Sequence, residues 1–133
     1  MKLTDAEREQ VVLHRLQKAK DTLNEAKGNI EMEYWHTAAN RLYYACYYVA
    51  SALLIKHEHI AKTHSGVITL LGLHFVSKGL ISDEQGIFYS QLFALRQTGD
   101  YSDWIEIKAE TVKEMVVPSE EFIATIEKLI LLP

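Results

Sequence analysis

The sequence holds a single cysteine, Cys46, so no internal disulfide can form. Its N-terminus has no basic start followed by an apolar run and a small-residue cleavage site, and the expected compartment is therefore the cytoplasm. Cys46 lies inside an apolar run and not beside a motif histidine or aspartate, which reads as a small buried hydrophobe and not a nucleophile. No apolar stretch approaches the roughly 18 to 20 residues that span a bilayer, so no membrane insertion is expected. Phosphate loops, dinucleotide fingerprints, nucleophile elbows and zinc-hydrolase helices are all absent, which removes the enzymes built on them. Positive charge is also scarce. With 14 Lys and Arg against 18 Asp and Glu, the net charge of −4 argues against a surface that grips nucleic acid non-specifically, but leaves room for a local basic pocket. Only two prolines occur, with no repeat and no low-complexity segment, so residues 1–133 read as one domain without a linker.

What is present is helical pattern. A hydrophobic fraction of 48% over 133 residues is enough for one continuous core. Thr4 followed by Glu7 forms a capping box, and Val11, Val12, Leu16, Ala19, Leu23 and Ala26 recur at helical spacing until Gly28, which predicts a first helix over 5–27. A second helix is predicted from Tyr34 to His57. Ala38, Leu42, Ala45, Val49 and Ala52 form one stripe of it, Tyr43, Tyr47, Ala50 and Leu54 another, and Arg41, Tyr44, Tyr48 and Ile55 a third. Such a helix must be covered on several sides, as a central strut or partly at a subunit interface. Thr63 or Ser65 caps a third helix ending near Gly79, and Ser82 caps a fourth that runs out at Arg96-Gln97-Thr98-Gly99. A loop is expected over 100–105. The last helical stretch covers 109–131, kinked or restarted at Pro118. The fold class is all-α.

Three groups of residues could carry chemistry. His57, His59 and His64 fall within eight residues, but their spacing gives no i, i+4 pair and no thiolate supports them, so no metal site is expected. Arg41, set among Leu42, Tyr44 and Tyr48, needs a charge partner or must reach solvent along its stem, because an unpaired buried charge is costly; it could hold a phosphate or pair with an acid such as Asp100 or Asp103. The third group is Arg96-Gln97-Thr98-Gly99-Asp100-Tyr101. A guanidinium suits phosphate or carboxylate, Tyr101 can donate or stack, Asp100 can act as a base, and Gly99 suits a sharp helix exit. Arg96 and Asp100 pairing with each other across the helix end is the competing reading. Seven tyrosines against four phenylalanines and two tryptophans fit surfaces that are dry at one end of the ring and wet at the other.

The run Arg41-Leu-Tyr-Tyr-Ala-Cys-Tyr-Tyr-Val-Ala50 behind paired alanines, then Lys62-Thr-His-Ser-Gly-Val67, then Leu95-Arg96-x-x-x-Asp100-Tyr101, resembles the HEPN-domain proteins. The resemblance runs from Ala39 to Tyr101, and the three motifs together are specific where each alone is weak. It implies an up-and-down antiparallel bundle of four long helices with a short fifth element, usually a homodimer. It also implies a small nucleotidyltransferase partner, paired as toxin and antitoxin. Many family members are metal-independent ribonucleases whose active site is an Arg, four to six residues, then a His, contributed by both subunits. Arg96 matches the arginine. Asp100 and Tyr101 occupy the window where the histidine belongs, and no histidine follows Arg96. An exposed aspartate is a poor acid and a tyrosine a poor base near pH 7.

The resemblance thus implies a nucleotide- or RNA-binding homodimer in a toxin–antitoxin-like pair. Arg96, Asp100 and Tyr101 stand at its catalytic position, and Arg41, Tyr44, Tyr48 and His64 are set to contact the ligand. No cofactor is implied. A ribonuclease toxin, with Asp100 or His64 replacing the missing histidine, and a non-catalytic interaction module are the alternatives.

Overall fold

The computed structural model describes residues 2–101 and 106–133, without the side chains of Asp100 and Tyr101. Its elements are α1 (Asp5–Glu31), α2 (Trp35–Lys56), α3 (His64–Leu71) running on as a π-helical turn (Gly72–Val76), α4 (Asp83–Tyr101), α5 (Ala109–Glu114) and α6 (Val116–Leu131). The described residues contain no strand. Helices α1, α2, α4 and α6 are the four long members of the expected bundle, with α3 the shorter addition. No described helix is long and apolar enough to cross a membrane.

The first helix begins as its capping box dictates: the Thr4 N–H donates to Glu7 Oε1 at 2.9 Å, and the Glu7 N–H donates to Thr4 Oγ1 at 3.1 Å. It does not stop at Gly28. A mid-helix glycine costs only about 1 kcal/mol, and the packing of α1 along α2 carries the helix on to Glu31. The chain reverses instead at Glu33, in the left-handed region at φ +60°. Only then does α2 start.

Helix α2 is the centre of the bundle, with α1, α3, α4, α5 and α6 all packed on it. Its first stripe, Ala38, Leu42, Ala45, Val49 and Ala52, is fully buried. On the second stripe Tyr43, Ala50 and Leu54 are buried and Tyr47 is partly exposed, while on the third Arg41, Tyr44, Tyr48 and Ile55 are all half-buried. Cys46 is fully buried, and burial pushes its thiol up to about 12, so it is inert at neutral pH.

Thr63 caps α3, its Oγ1 accepting from the Gly66 N–H at 2.9 Å, and Gly79 leaves the π turn at φ +74°. Ser82 caps α4 by accepting from the Gln85 N–H at 3.1 Å. Two expectations need correction here. Helix α4 continues through Gly99 to Tyr101, so Asp100 and Tyr101 belong to the helix and not to a loop. Gly99 does not make a sharp exit with unusual backbone; a Cβ there would lie 2.6 Å from Ile107 Cδ1, so the glycine leaves space for close approach. Pro118 falls in the first turn of α6, where its missing N–H costs nothing, and the preceding break lies at Met115.

Lys56, at the end of α2, donates to the backbone carbonyls of Ile130 and Leu132 at the end of α6. These are among the carbonyls a helix C-terminus leaves unpaired, so the ammonium both caps α6 and ties the two helix ends together. Lys56→Met is expected to lower the unfolding free energy by about 1 to 2 kcal/mol in urea denaturation, the usual scale for charge-assisted hydrogen bonds at a partly solvated site. Ala45→Leu, which forces extra methylenes into the fully buried stripe, should lower it by about 1 to 3 kcal/mol.

Candidate functional site at the Arg41 and Arg96 cluster

The half-wet stripe of α2 is where its polar groups have to find partners. Arg96, on α4, donates from Nη2 to the Tyr44 hydroxyl at 3.0 Å. Its guanidinium also stands over two α2 rings, 5.3 Å from the centroid of Tyr44 and 5.6 Å from that of Tyr43. Arg41 reaches the same ring from its own helix, with its guanidinium carbon 5.2 Å from the Tyr44 centroid. Its Nε and Nη2 both donate to Asn40 Oδ1, at 3.1 and 2.8 Å, while Glu25 Oε2 of α1 is 4.0 Å from Nη1. Two guanidinium groups therefore share one tyrosine ring. Ring quadrupoles attract cations by about 0.5 to 2 kcal/mol each.

His64 enters this cluster as the first residue of α3. The Thr63 cap sets the start of the helix, and the imidazole then packs 4.5 Å from the Tyr47 ring centroid, with Tyr43, Tyr44 and Phe93 around it. Its Nδ1 lies 2.7 Å from the Tyr43 hydroxyl. Burial, and after it the positive charge of Arg96, hold the His64 pKa below its ordinary value of 6.5. Tyr48 extends the cluster along α2: its ring is 5.9 Å from that of Tyr44, and Lys18 Nζ of α1 lies 4.8 Å from its centroid.

All four residues expected to contact a ligand, Arg41, Tyr44, Tyr48 and His64, thus meet Arg96 around the ring of Tyr44. The side chains of Asp100 and Tyr101, and Asp103 entirely, lie outside the described residues, so the expected Arg96–Asp100 and Arg41–aspartate pairings do too. The acid beside Arg41 that sequence reasoning missed is Glu25, four positions after Asp21 on the solvated face of α1. Tyr43 and Tyr47 were read only as part of an apolar stripe; their i, i+4 spacing, which brings the rings to 6.1 Å, was the available sign of an aromatic wall.

The histidine run divides. His64 faces the tyrosines, whereas His59 stacks on His74 at 3.7 Å and His57 packs against Phe75. No group of three or more His, Cys, Asp or Glu among the described residues is arranged to hold a metal ion. Chemically, the cluster offers two guanidinium groups, a neutral imidazole and stacking rings, a set suited to phosphate and planar bases. In a pH titration followed by histidine NMR, His64 should protonate below 6.5, and Arg96→Ala should move it upward by removing a nearby positive charge. A value at or above 6.5 in the unaltered protein contradicts this placement.

A family model described as HEPN domain matches residues 12–129, well beyond the stretch that carries the motifs. A protein of Thermotoga maritima named UPF0332 protein is 38% identical over 124 residues, covering 93% of this chain and 94% of its own. Two proteins of Methanocaldococcus jannaschii, each named "Putative toxin", are 32% identical over 110 residues and 28% identical over 116. The first comparison covers 83% of this chain and 81% of the relative, the second 87% and 79%. Motifs, helical architecture and a family match over most of its length agree, and the chain belongs to the HEPN domain family.

Proposed function

We propose that this HEPN protein binds RNA or nucleotide phosphate at the Arg41–Tyr44–Arg96 cluster. In this reading it acts as a homodimer within a toxin–antitoxin-like pair whose other member is a small nucleotidyltransferase. The observation that carries the reading is the sharing of the Tyr44 ring by two guanidinium groups, with His64 beside them. Neighbouring acids are few among the described residues: Glu25 stands at the limit of ion-pair distance from Arg41. The chain is acidic overall, so this local concentration of cations and exposed ring edges is the feature that fits a phosphate-bearing partner. The toxin names of the two archaeal relatives support the paired context.

A second reading, RNA cleavage, is favoured by one observation. The family histidine is missing after Arg96, yet His64 arrives from α3 in the same cluster, close enough for the Arg96 charge to act on it. Neutral at pH 7, it has the protonation state a general base needs for attack by a 2′-hydroxyl. Cleavage of structured and single-stranded RNA in EDTA, lost on His64→Ala, supports this reading; intact RNA under all such conditions sinks it.

For the binding reading, labelled oligouridine titrated against the protein and Arg96→Ala should show a loss of about 10- to 100-fold, the scale of one charge-assisted contact. The salt slope of log affinity should fall by about 0.7, as for one phosphate contact to a single strand. Affinity should also rise as pH falls from 7 toward the depressed pKa of His64. A bound phosphate raises that pKa, so the complex takes up a proton that the free protein does not hold. Identical binding by Arg96→Ala removes the cluster from the function.

A further inference from the structure

Tyr43 is one of the largest fully buried side chains in the protein, on the inner side of α2, and nothing in its apolar setting requires a hydroxyl. A phenylalanine would fill the same space. The hydroxyl instead has a partner on another helix. Toward α3 it lies 2.7 Å from His64 Nδ1. Toward α4 the Tyr89 ring stacks on the Tyr43 ring at 5.9 Å, 10° from parallel, and the Tyr89 hydroxyl makes no hydrogen bond among the described residues.

The direction of this bond follows from elimination. Burial pushes the Tyr43 hydroxyl up to about 12, so it keeps its own proton at physiological pH. Tyr43 is fully buried and its hydroxyl has one hydrogen-bond partner among the described residues, so its proton goes to His64 Nδ1; the reverse direction would leave the buried O–H without an acceptor. An imidazole that accepts at Nδ1 while neutral carries its proton on Nε2. Nε2, across the ring from Nδ1, has no hydrogen-bond partner among the described residues and is not one of their buried unpartnered atoms. It lies on the side of the ring open to solvent.

We propose that the Tyr43 hydroxyl fixes His64 as its Nε2–H tautomer, so that the imidazole presents a hydrogen-bond donor beside the Arg96 guanidinium to an anionic oxygen of the ligand. Tyr43 is then a positioning residue. It does not touch the ligand; it decides which face of His64 the ligand meets. This anchor links α2 to α3, so the orientation of His64 is set from the core and not from the surface. The ligand in this proposal rests on the phosphate-binding reading above, whereas the tautomer is a property of the free protein.

Nitrogen-15 NMR of histidine-labelled protein without ligand at neutral pH tests this anchor directly. His64 is expected to show a pyrrole-like Nε2 and a pyridine-like Nδ1. In Tyr43→Phe both nitrogens should move toward averaged values. A wild-type spectrum with the proton on Nδ1 overturns the proposal whether or not the variant folds. A folded Tyr43→Phe with an unchanged His64 spectrum overturns it as well. Oligouridine affinity then separates binding from orientation. Tyr43→Phe should weaken binding about 3- to 10-fold, the scale of one neutral hydrogen bond lost through misorientation. Unchanged affinity in a variant whose tautomer has shifted removes the anchor's role in binding. Failure of the wild-type protein to bind oligouridine at all counts against the RNA reading, and the spectrum still decides the tautomer.

Discussion

A helix that is apolar around almost its whole circumference can be stable only if other helices cover it on nearly every side, and α2 imposes that requirement on the rest of the chain. Helices α1, α3, α4, α5 and α6 all meet it. The alanines of its first stripe, together with Ala19 and Ala26 of α1, are fully buried and keep the helix surfaces low enough for close packing. The cost falls on the few polar atoms α2 carries. Inside such a bundle each needs a partner, since an unsatisfied buried polar group forfeits about 1 to 3 kcal/mol.

The pairing of those atoms produces the candidate site. Tyr43 is buried and its hydroxyl is matched by His64 at the start of α3. Tyr44, one step around the helix, is half-buried, so its hydroxyl can receive Arg96 while its ring edge remains wet. Arg41, one turn earlier, lies where its stem can run along the apolar surface and its head can reach Asn40, Glu25 and the Tyr44 ring. The site is thus the place where the dry core grades into solvent along one stripe of one helix. It needs no special loop.

Much of this was legible in the sequence because it depends on local rules. The Thr4–Glu7 box, the Thr63 and Ser82 caps and the three stripes of α2 are set within a turn or two of chain, and each occurs where the pattern puts it. What escaped depends on contacts between distant segments. Gly28 carries the mark of a helix end, but α1 packs extensively on α2 and packing outweighs the glycine. Gly99 carries the same mark, yet its role is to admit Ile107, eight residues on, against α4. The π turn at Gly72–Val76 has no periodic signature at all. The residues of the cluster were individually visible as polar groups in apolar settings. Their convergence on the Tyr44 ring was suggested only by the family motifs, and Tyr43 was hidden because a buried tyrosine reads as a phenylalanine until its hydroxyl is followed.

The missing histidine after Arg96 looks different once α3 is in place. In a motif that carries Arg and His on one helix, the two side chains are held by a single backbone and their separation is fixed by helical rise. Here the histidine near Arg96 comes from the start of another helix, fixed by the Thr63 cap on one side and by the Tyr43 hydroxyl on the other. Two independent anchors can orient a side chain as firmly as a shared helix does, but they place it differently with respect to the guanidinium. The surroundings also differ, because the rings of Tyr43, Tyr44, Tyr47 and Phe93 dry the imidazole and hold it neutral, while the Arg96 charge adds to the same effect. A neutral histidine beside an arginine can act as a base, which an imidazolium cannot, but it is a weaker hydrogen-bond donor and a weaker anion site. Under the proposed phosphate-binding role, that difference couples binding to proton uptake at His64.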